Sequence, residues 1–195
     1  MKVWWLASSV WTLTLWLAVF AAALLILRPK LHERSKLLSF LCHFALAVPF
    51  IALSSRFLVN DTSIEHVAAY GGAALPLKYR FAATWAAREG PILLWVLWMS
   101  LLSWIWRKPL TGEEIEGNQG FSAHQLRLRL VHGFSLLLLI ISLTLDPFRV
   151  NEYNWLGQGL NELLQTDLMV IHPPLIFLSY SLCLHIAAIS ISSFY

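Results

Sequence analysis

The chain has 195 residues, 58% of them hydrophobic and 13% charged, with ten tryptophans and a net charge of +3. A soluble domain carries roughly 25% charged residues, and the mean hydropathy here is +0.64, so the composition excludes a soluble enzyme or binding module and points to an integral membrane protein. The small positive charge lies between apolar runs, where it bears on orientation in a bilayer and not on a nucleic-acid partner.

About 20 apolar residues cross roughly 30 Å of hydrocarbon, and five runs meet that need, at approximately 3–27, 37–55, 89–106, 130–146 and 172–193. The expected fold is all-α, a polytopic transmembrane helical bundle forming a single domain over 1–195. Val3 to Leu27 is 25 residues without a charge, longer than a signal-peptide core and without its cleavage site, and reads as a retained span. The third and fourth runs are short, so each is expected to draw in flanking residues, Thr84 to Gly90 and Leu126 to Leu130.

The connections set the orientation. Residues 28–36 hold Arg28, Lys30, Arg34 and Lys36, and residues 107–129 hold Arg107, Lys108, Arg127 and Arg129. The opposite side holds Arg56, Lys78, Arg80, Arg88 and Arg149, with Lys2 from the N-terminus, spread over much longer loops. The positive-inside rule therefore puts the N-terminus and both long loops outside and the C-terminus inside.

Residues 60–90 mix apolar and aromatic side chains with few charges, as expected of a segment lying on the membrane surface. Lys78 and Arg80 flank Tyr79, which in an extended segment puts both charges on one side, either toward ligand carboxylates or toward anionic lipid. Trp85, Trp95, Trp98, Trp104 and Trp106 crowd the third span. Those at its ends suit an interfacial belt, while Trp95 and Trp98 share a face that packs on a neighbouring helix or on a flat ligand. Glu89 begins that span, where the helix dipole favours it. The inner loop, with Glu113, Glu114 and Glu116, reads as a mobile surface loop. In the second outer loop, Leu160, Leu163, Leu164 and Leu168 are spaced as in a short amphipathic helix.

That loop leads to VIHPPLIFLSY, Val170 to Tyr180. Proline is tolerated in the first turn of a helix, so Pro173 and Pro174 mark a helix start and place His172 at or just before its N-cap, on the outer boundary. His172 is then a ligand or proton carrier, or an interfacial residue bonded to headgroups or a loop. His43, His132 and His185 lie in three different spans, each a ligand, a relay or an interhelical hydrogen-bonder. Cys42 and Cys183 read as small buried hydrophobes.

The segment from FLVNDTSIEHVAAYGGAALPLKYRFAATWAAREGPILLWVLWMS, through DPFR, to GLNELLQTDLMVIHPPLIFLSY resembles the N-terminal part of the CcmF/NrfE family of cytochrome c haem lyase membrane proteins, over about residues 57–180. The resemblance implies that His172 is an outer-face axial ligand of haem, one of a pair, with the haem lying over a tryptophan-rich WWD motif. It makes Lys78, Arg80 and Arg88 candidate propionate contacts and Trp85 and Trp95 candidate pocket packing. The family's HEGS is Arg88, Glu89, Gly90 and Pro91 here. The WWD motif, the second outer-face histidine and the histidines of the buried b-type haem follow later in the family, beyond Tyr195.

The expectation is a split-gene fragment in the mitochondrial inner membrane, or else the bacterial cytoplasmic membrane. It would be one chain of a lyase joining haem to apocytochrome c, inactive alone, with b-type haem as its substrate or transient ligand. Its expected partners are a separate chain carrying the WWD motif and the remaining haem histidines, the haem chaperone CcmE, a CcmH-type apocytochrome partner and membrane lipid. The alternative is a non-catalytic structural subunit of a respiratory or maturation assembly.

Overall fold

The computed structural model describes residues 4–31, 35–110, 122–152 and 156–194, with side chains from Val10 onward. Arg34 and the acidic stretch Glu113 to Glu116 lie outside the described residues. The described residues are helical, and apart from one isolated bridge between Ile64 and Val150 they form no β-structure. Among the described residues seven α-helices follow one another: α1 (Trp4–Leu27), α2 (Lys36–Val59), α3 (Glu65–Tyr70), α4 (Leu77–Ala83), α5 (Glu89–Ile105), α6 (Ala123–Leu145) and α7 (Asp167–Ser193). Four of these, α1, α2, α6 and α7, are long and apolar enough to cross a membrane, and α5 is a shorter apolar helix.

Local chemistry sets the boundaries. Ser35, Ser122 and Thr166 each cap a helix N-terminus, their side-chain oxygens accepting from the backbone N–H three residues on. Asn60 and Asp146 end α2 and α6 in the left-handed region, at φ 55° and 48°, a conformation these two residue types tolerate better than most. The 17 residues of α5 span about 25 Å, because residues 84–88 turn and do not extend the helix as expected. Gly90 explains the tight approach: a Cβ there would lie 1.6 Å from the Thr84 carbonyl oxygen.

The fourth span does draw in its flank and runs back to Ala123, past Arg127 and Arg129. Arg127 is tolerated because its guanidinium donates to the Trp106 and Lys108 carbonyls, both at 3.1 Å. Those carbonyls lie at and beyond the end of α5, where a helix has no internal donor for them.

Helices α1, α2, α5 and α6 form a closed ring in which each packs on the next, and α7 docks outside it against α5 and α6. In the most apolar window of α2, 61% of residues are buried, against 22% in that of α7, so α2 is central and α7 has one face packed. That face is Val170, Phe177, Ser181, His185, Ala188 and Ser192.

Candidate functional site

Two loops that the sequence reading treats separately build one cap over an end of the bundle. Ile64 pairs with Val150. Glu65 N–H donates to the Arg149 carbonyl, Asn151 N–H to Ser63, Gln158 N–H to Ala68 and Gly159 N–H to Gly71, at 2.8 to 3.0 Å. Residues 60–90 are therefore folded into a packed cap. His66, Val67, Ala68, Ala82, Ala83, Thr84 and Trp85 are all buried in the cap.

The cap holds the start of α7. That helix begins at Asp167, six residues before Pro173, and not at the prolines. His172 is thus in its second turn, and the expected amphipathic helix over Leu160 to Leu168 reduces to a single 3-10 turn at Glu162–Leu164. Gly157 and Gly159, at φ 90° and 85°, and Asn161, whose side chain accepts from Leu163 N–H, favour turns over a continuous helix in that stretch. Leu163 and Leu168 are exposed.

Proline within a helix leaves the carbonyl four residues earlier without its helical donor. For Pro173 that is the Met169 carbonyl, and the buried Trp85 takes it, indole Nε1–H to O at 2.8 Å. Trp85 also meets Phe81 edge-on. Two residues before Met169, the Asp167 carboxylate accepts from Lys78 Nζ at 2.5 Å. The Lys78 ammonium is held above its usual pKa, chiefly by that hydrogen bond.

His172 is exposed. It is nine residues from Ser181 at the centre of the packed face, about two and a half turns, so it stands on the opposite side of α7. Its imidazole makes no hydrogen bond among the described residues. Cys183, expected to be buried, is exposed on the same side.

Lys78 and Arg80 do not share a side, because residues 77–83 are helical and not extended. Arg80 faces the cap interior, donating through Nε to the Leu75 carbonyl at 2.9 Å and through its terminal nitrogens to the Leu58 and Ala73 carbonyls. The Arg88 side chain is 79% exposed, with Glu89 at 3.5 Å. Trp95 packs among Phe134, Phe177 and Tyr180, with centroids 5.1 to 5.8 Å away, and joins α5, α6 and α7. Lys78 and Trp85 therefore converge on the helix that bears His172, while Arg80, Arg88 and Trp95 are engaged elsewhere.

The other histidines lie toward the far end of the bundle. His43 Nδ1–H donates to the Ser39 carbonyl at 2.7 Å, and the ring meets His132 at 5.3 Å between centroids. His185 Nδ1–H donates to the Ser181 carbonyl, and its Nε2 lies 3.2 Å from Ser103 Oγ. They join α2 to α6 and α5 to α7. Among the described residues no three His, Cys, Asp or Glu side chains gather as a metal site.

Sequence reasoning missed His66. It is buried between Phe57 and Tyr70, with Nδ1 3.6 Å from Glu89 Oε2 and Nε2 3.4 Å from the Thr84 carbonyl. Burial pushes its pKa down, opposed but not overcome by the Glu89 carboxylate and the Thr84 carbonyl. The pair lines a cavity of about 460 Å³ with Glu65, Tyr70, Arg88 and Arg149. His66 and Glu89 are 23 positions apart, and no local pattern brings them together. The cap turn at 84–88 does.

No family model matches the chain, and no solved structure matches it. Curated relatives do. The cytochrome c-type biogenesis protein CcmF of Escherichia coli is 33% identical over 153 residues, 77% of this chain and 23% of the relative. NrfE of Haemophilus influenzae is 31% identical over 155 residues, 78% of this chain and 23% of that protein. The cytochrome c-type biogenesis protein ccl1 of Rhodobacter capsulatus is 29% identical over 141 residues, 69% and 20% of the two chains. The aligned part is thus under a quarter of each of these relatives.

Proposed function

This chain is a homologue of the CcmF and NrfE cytochrome c-type biogenesis proteins over most of its own length, and on that premise we propose that it is a membrane subunit of cytochrome c maturation that presents His172 to haem. The placement of His172 carries the reading. It is exposed on the unpacked side of α7, and the first turn of that helix is held by the Thr166 cap, the Lys78 pair and the Trp85 indole. An exposed imidazole on a helix whose first turn is tied down by three side chains suits an axial ligand.

Haem is a substrate here, and when bound it supplies the vinyl groups to which the thiols of an apocytochrome c CxxCH segment add. This chain holds and orients, contributing proximity and no acid or base to that addition. Of the three cations weighed for the propionates, Arg88 has the most exposed side chain, though Glu89 lies 3.5 Å from it, while Arg80 is bound to carbonyls and Lys78 to Asp167. The WWD motif, the second outer-face histidine and the resident-haem ligands of the family are not among these 195 residues and complete the haem site beside them. A CcmE-type haem chaperone and a CcmH-type apocytochrome partner complete the set. The membrane is an energy-transducing one, mitochondrial inner or bacterial cytoplasmic, with the cap on its outer face.

The engagement of Arg80 and Lys78 favours a second reading, a structural subunit without haem. His172→Ala separates the two. On the first reading the variant stays in the membrane with unchanged thermal stability, because an exposed imidazole is removed, while co-purifying haem falls at least about tenfold. Normal cytochrome c maturation in that variant would sink the ligand assignment.

A further inference from the structure

A carbonyl oxygen only accepts, so the His66 nitrogen that meets the Thr84 carbonyl, Nε2 at 3.4 Å, carries the proton of the neutral ring. Nδ1 is then a bare acceptor, and it faces Glu89 Oε2 at 3.6 Å. That oxygen is buried and takes no hydrogen bond among the described residues. One imidazole therefore stands between the two ends of the turn from Thr84 to Glu89. Trp85 lies in this turn, and its indole holds the Met169 carbonyl, three positions before His172 in α7.

We propose that His66 is a positioning residue for His172, acting through the Thr84–Glu89 turn and Trp85. This rests on the reading of His172 as a haem ligand. The contacts run in one line across the cap: His66 to Thr84, its neighbour Trp85 to Met169, and Met169 to the turn that bears His172. His66 itself is fixed by the rings of Phe57 and Tyr70. The other tie to α7, Lys78 to Asp167, is exposed to solvent and holds less firmly.

The clamp is also sensitive to protons. Around the ring stand Glu65 and Tyr70 from α3, Arg88 and Glu89 from the start of α5, and Asp146 and Arg149 from the end of α6, while α2 presents the apolar Phe57. Burial lowers the His66 pKa more than Glu89 raises it, so the ring takes up a proton more readily when the cap opens. Opening therefore becomes more frequent as the pH falls below 6.5.

The test uses the full chain purified in mild detergent and loaded with ferric haem. His66→Phe keeps a ring between Phe57 and Tyr70 and removes both nitrogens, and it should speed haem dissociation about tenfold. In a Trp85→Phe chain the same change should add less than about twofold, because the line is already cut. His66→Gln keeps an N–H donor for the Thr84 carbonyl and does not titrate. Its haem dissociation should match the wild type at pH 7.5 and lack the wild type's extra acceleration toward pH 5. Protonation of His172 itself is common to both chains and cancels in that comparison.

Unchanged dissociation in His66→Phe, full additivity with Trp85→Phe, or a wild-type pH profile in His66→Gln each overturns the proposal. His172→Ala separates it from the reading beneath it. Loss of haem there with haem kept in His66→Phe defeats positioning alone, whereas haem kept in His172→Ala defeats the ligand reading. Hydrogen exchange of the wild type decides the coupling without haem and without any variant. Corrected for intrinsic rates, the amides of 84–90 and 167–172 should open together as the pH falls from 7.5 to 5, and independent responses overturn the proposal.

Discussion

Trp85→Phe removes one N–H from the cap and keeps most of an aromatic ring. The bond it breaks is a neutral hydrogen bond of 2.8 Å to the Met169 carbonyl, worth about 1 kcal/mol net in a typical setting, with a penalty of about 1–3 kcal/mol if the acceptor is left buried and unpaired. The helix cannot supply a replacement donor, because residue 173 is proline. In a Pro173→Ala background it can, since the new N–H reaches the same carbonyl. Trp85→Phe should therefore cost about 2 kcal/mol in the wild type and about 1–2 kcal/mol less in the Pro173→Ala chain, a coupling that changes the unfolding equilibrium roughly tenfold. Unfolding the four variants in mixed micelles with increasing sodium dodecyl sulfate measures it. Effects that add within about 0.3 kcal/mol would mean that the indole does not replace the missing helical bond, and the account of how α7 tolerates proline in its second turn would fail.

Gly90 and Gly133 make a contrasting pair. Gly90→Ala drives a methyl into the Thr84 carbonyl and should cost about 3 kcal/mol or more, read as a lost or strongly lowered thermal midpoint. Gly133→Ala, on α6 with nothing within 4 Å of the new Cβ, should be neutral or stabilising by up to about 1 kcal/mol. His66 predicts a pH dependence. Its folded pKa lies below the ordinary 6.5, so between those two values the unfolded chain binds more protons. Its contribution to stability is therefore complete above 6.5 and lost as the pH falls through the window. His66→Gln should flatten the thermal midpoint between pH 7.5 and 5, and a slope identical to wild type would exclude His66 as the group responsible.

The cap joins these residues to the proposed function. Its two loops are hydrogen-bonded into one unit, and that unit grips the helix that carries His172 through Lys78 and Trp85. The histidine's position thus depends on residues about 90 positions away in the chain. A ligand that must meet iron at one distance and angle needs such rigidity, and residues outside the contact shell supply it.

The errors in reading the chain have specific causes. Pro173 and Pro174 were expected to mark a helix start because proline fits the first turn, yet Thr166 and Asp167 carry an equally local capping signal, and the Trp85 indole made the longer helix possible. Lys78 and Arg80 were assigned one side from an extended backbone, and the helical backbone of α4 sets them about 200° apart. The leucines from 160 to 168 have helical spacing, but Asn161 and Thr166 interrupt the stretch with side-chain caps of their own. Cys183 looked buried because its run is apolar, which in a membrane protein marks a span without saying which face is packed.

What the sequence determined alone is the membrane character, the approximate spans, the uneven distribution of basic residues and the HPP motif, because hydrophobic length and local charge need no partner to be read. Tertiary structure decided what each polar group does. It sent Arg80 and Arg127 to backbone carbonyls, brought His66 to Glu89, gave the Met169 carbonyl to Trp85, and turned His172 outward and His185 inward on the same helix. Those outcomes follow from which buried donors and acceptors lack a partner and which side chain is within reach, and that is a property of the packed chain.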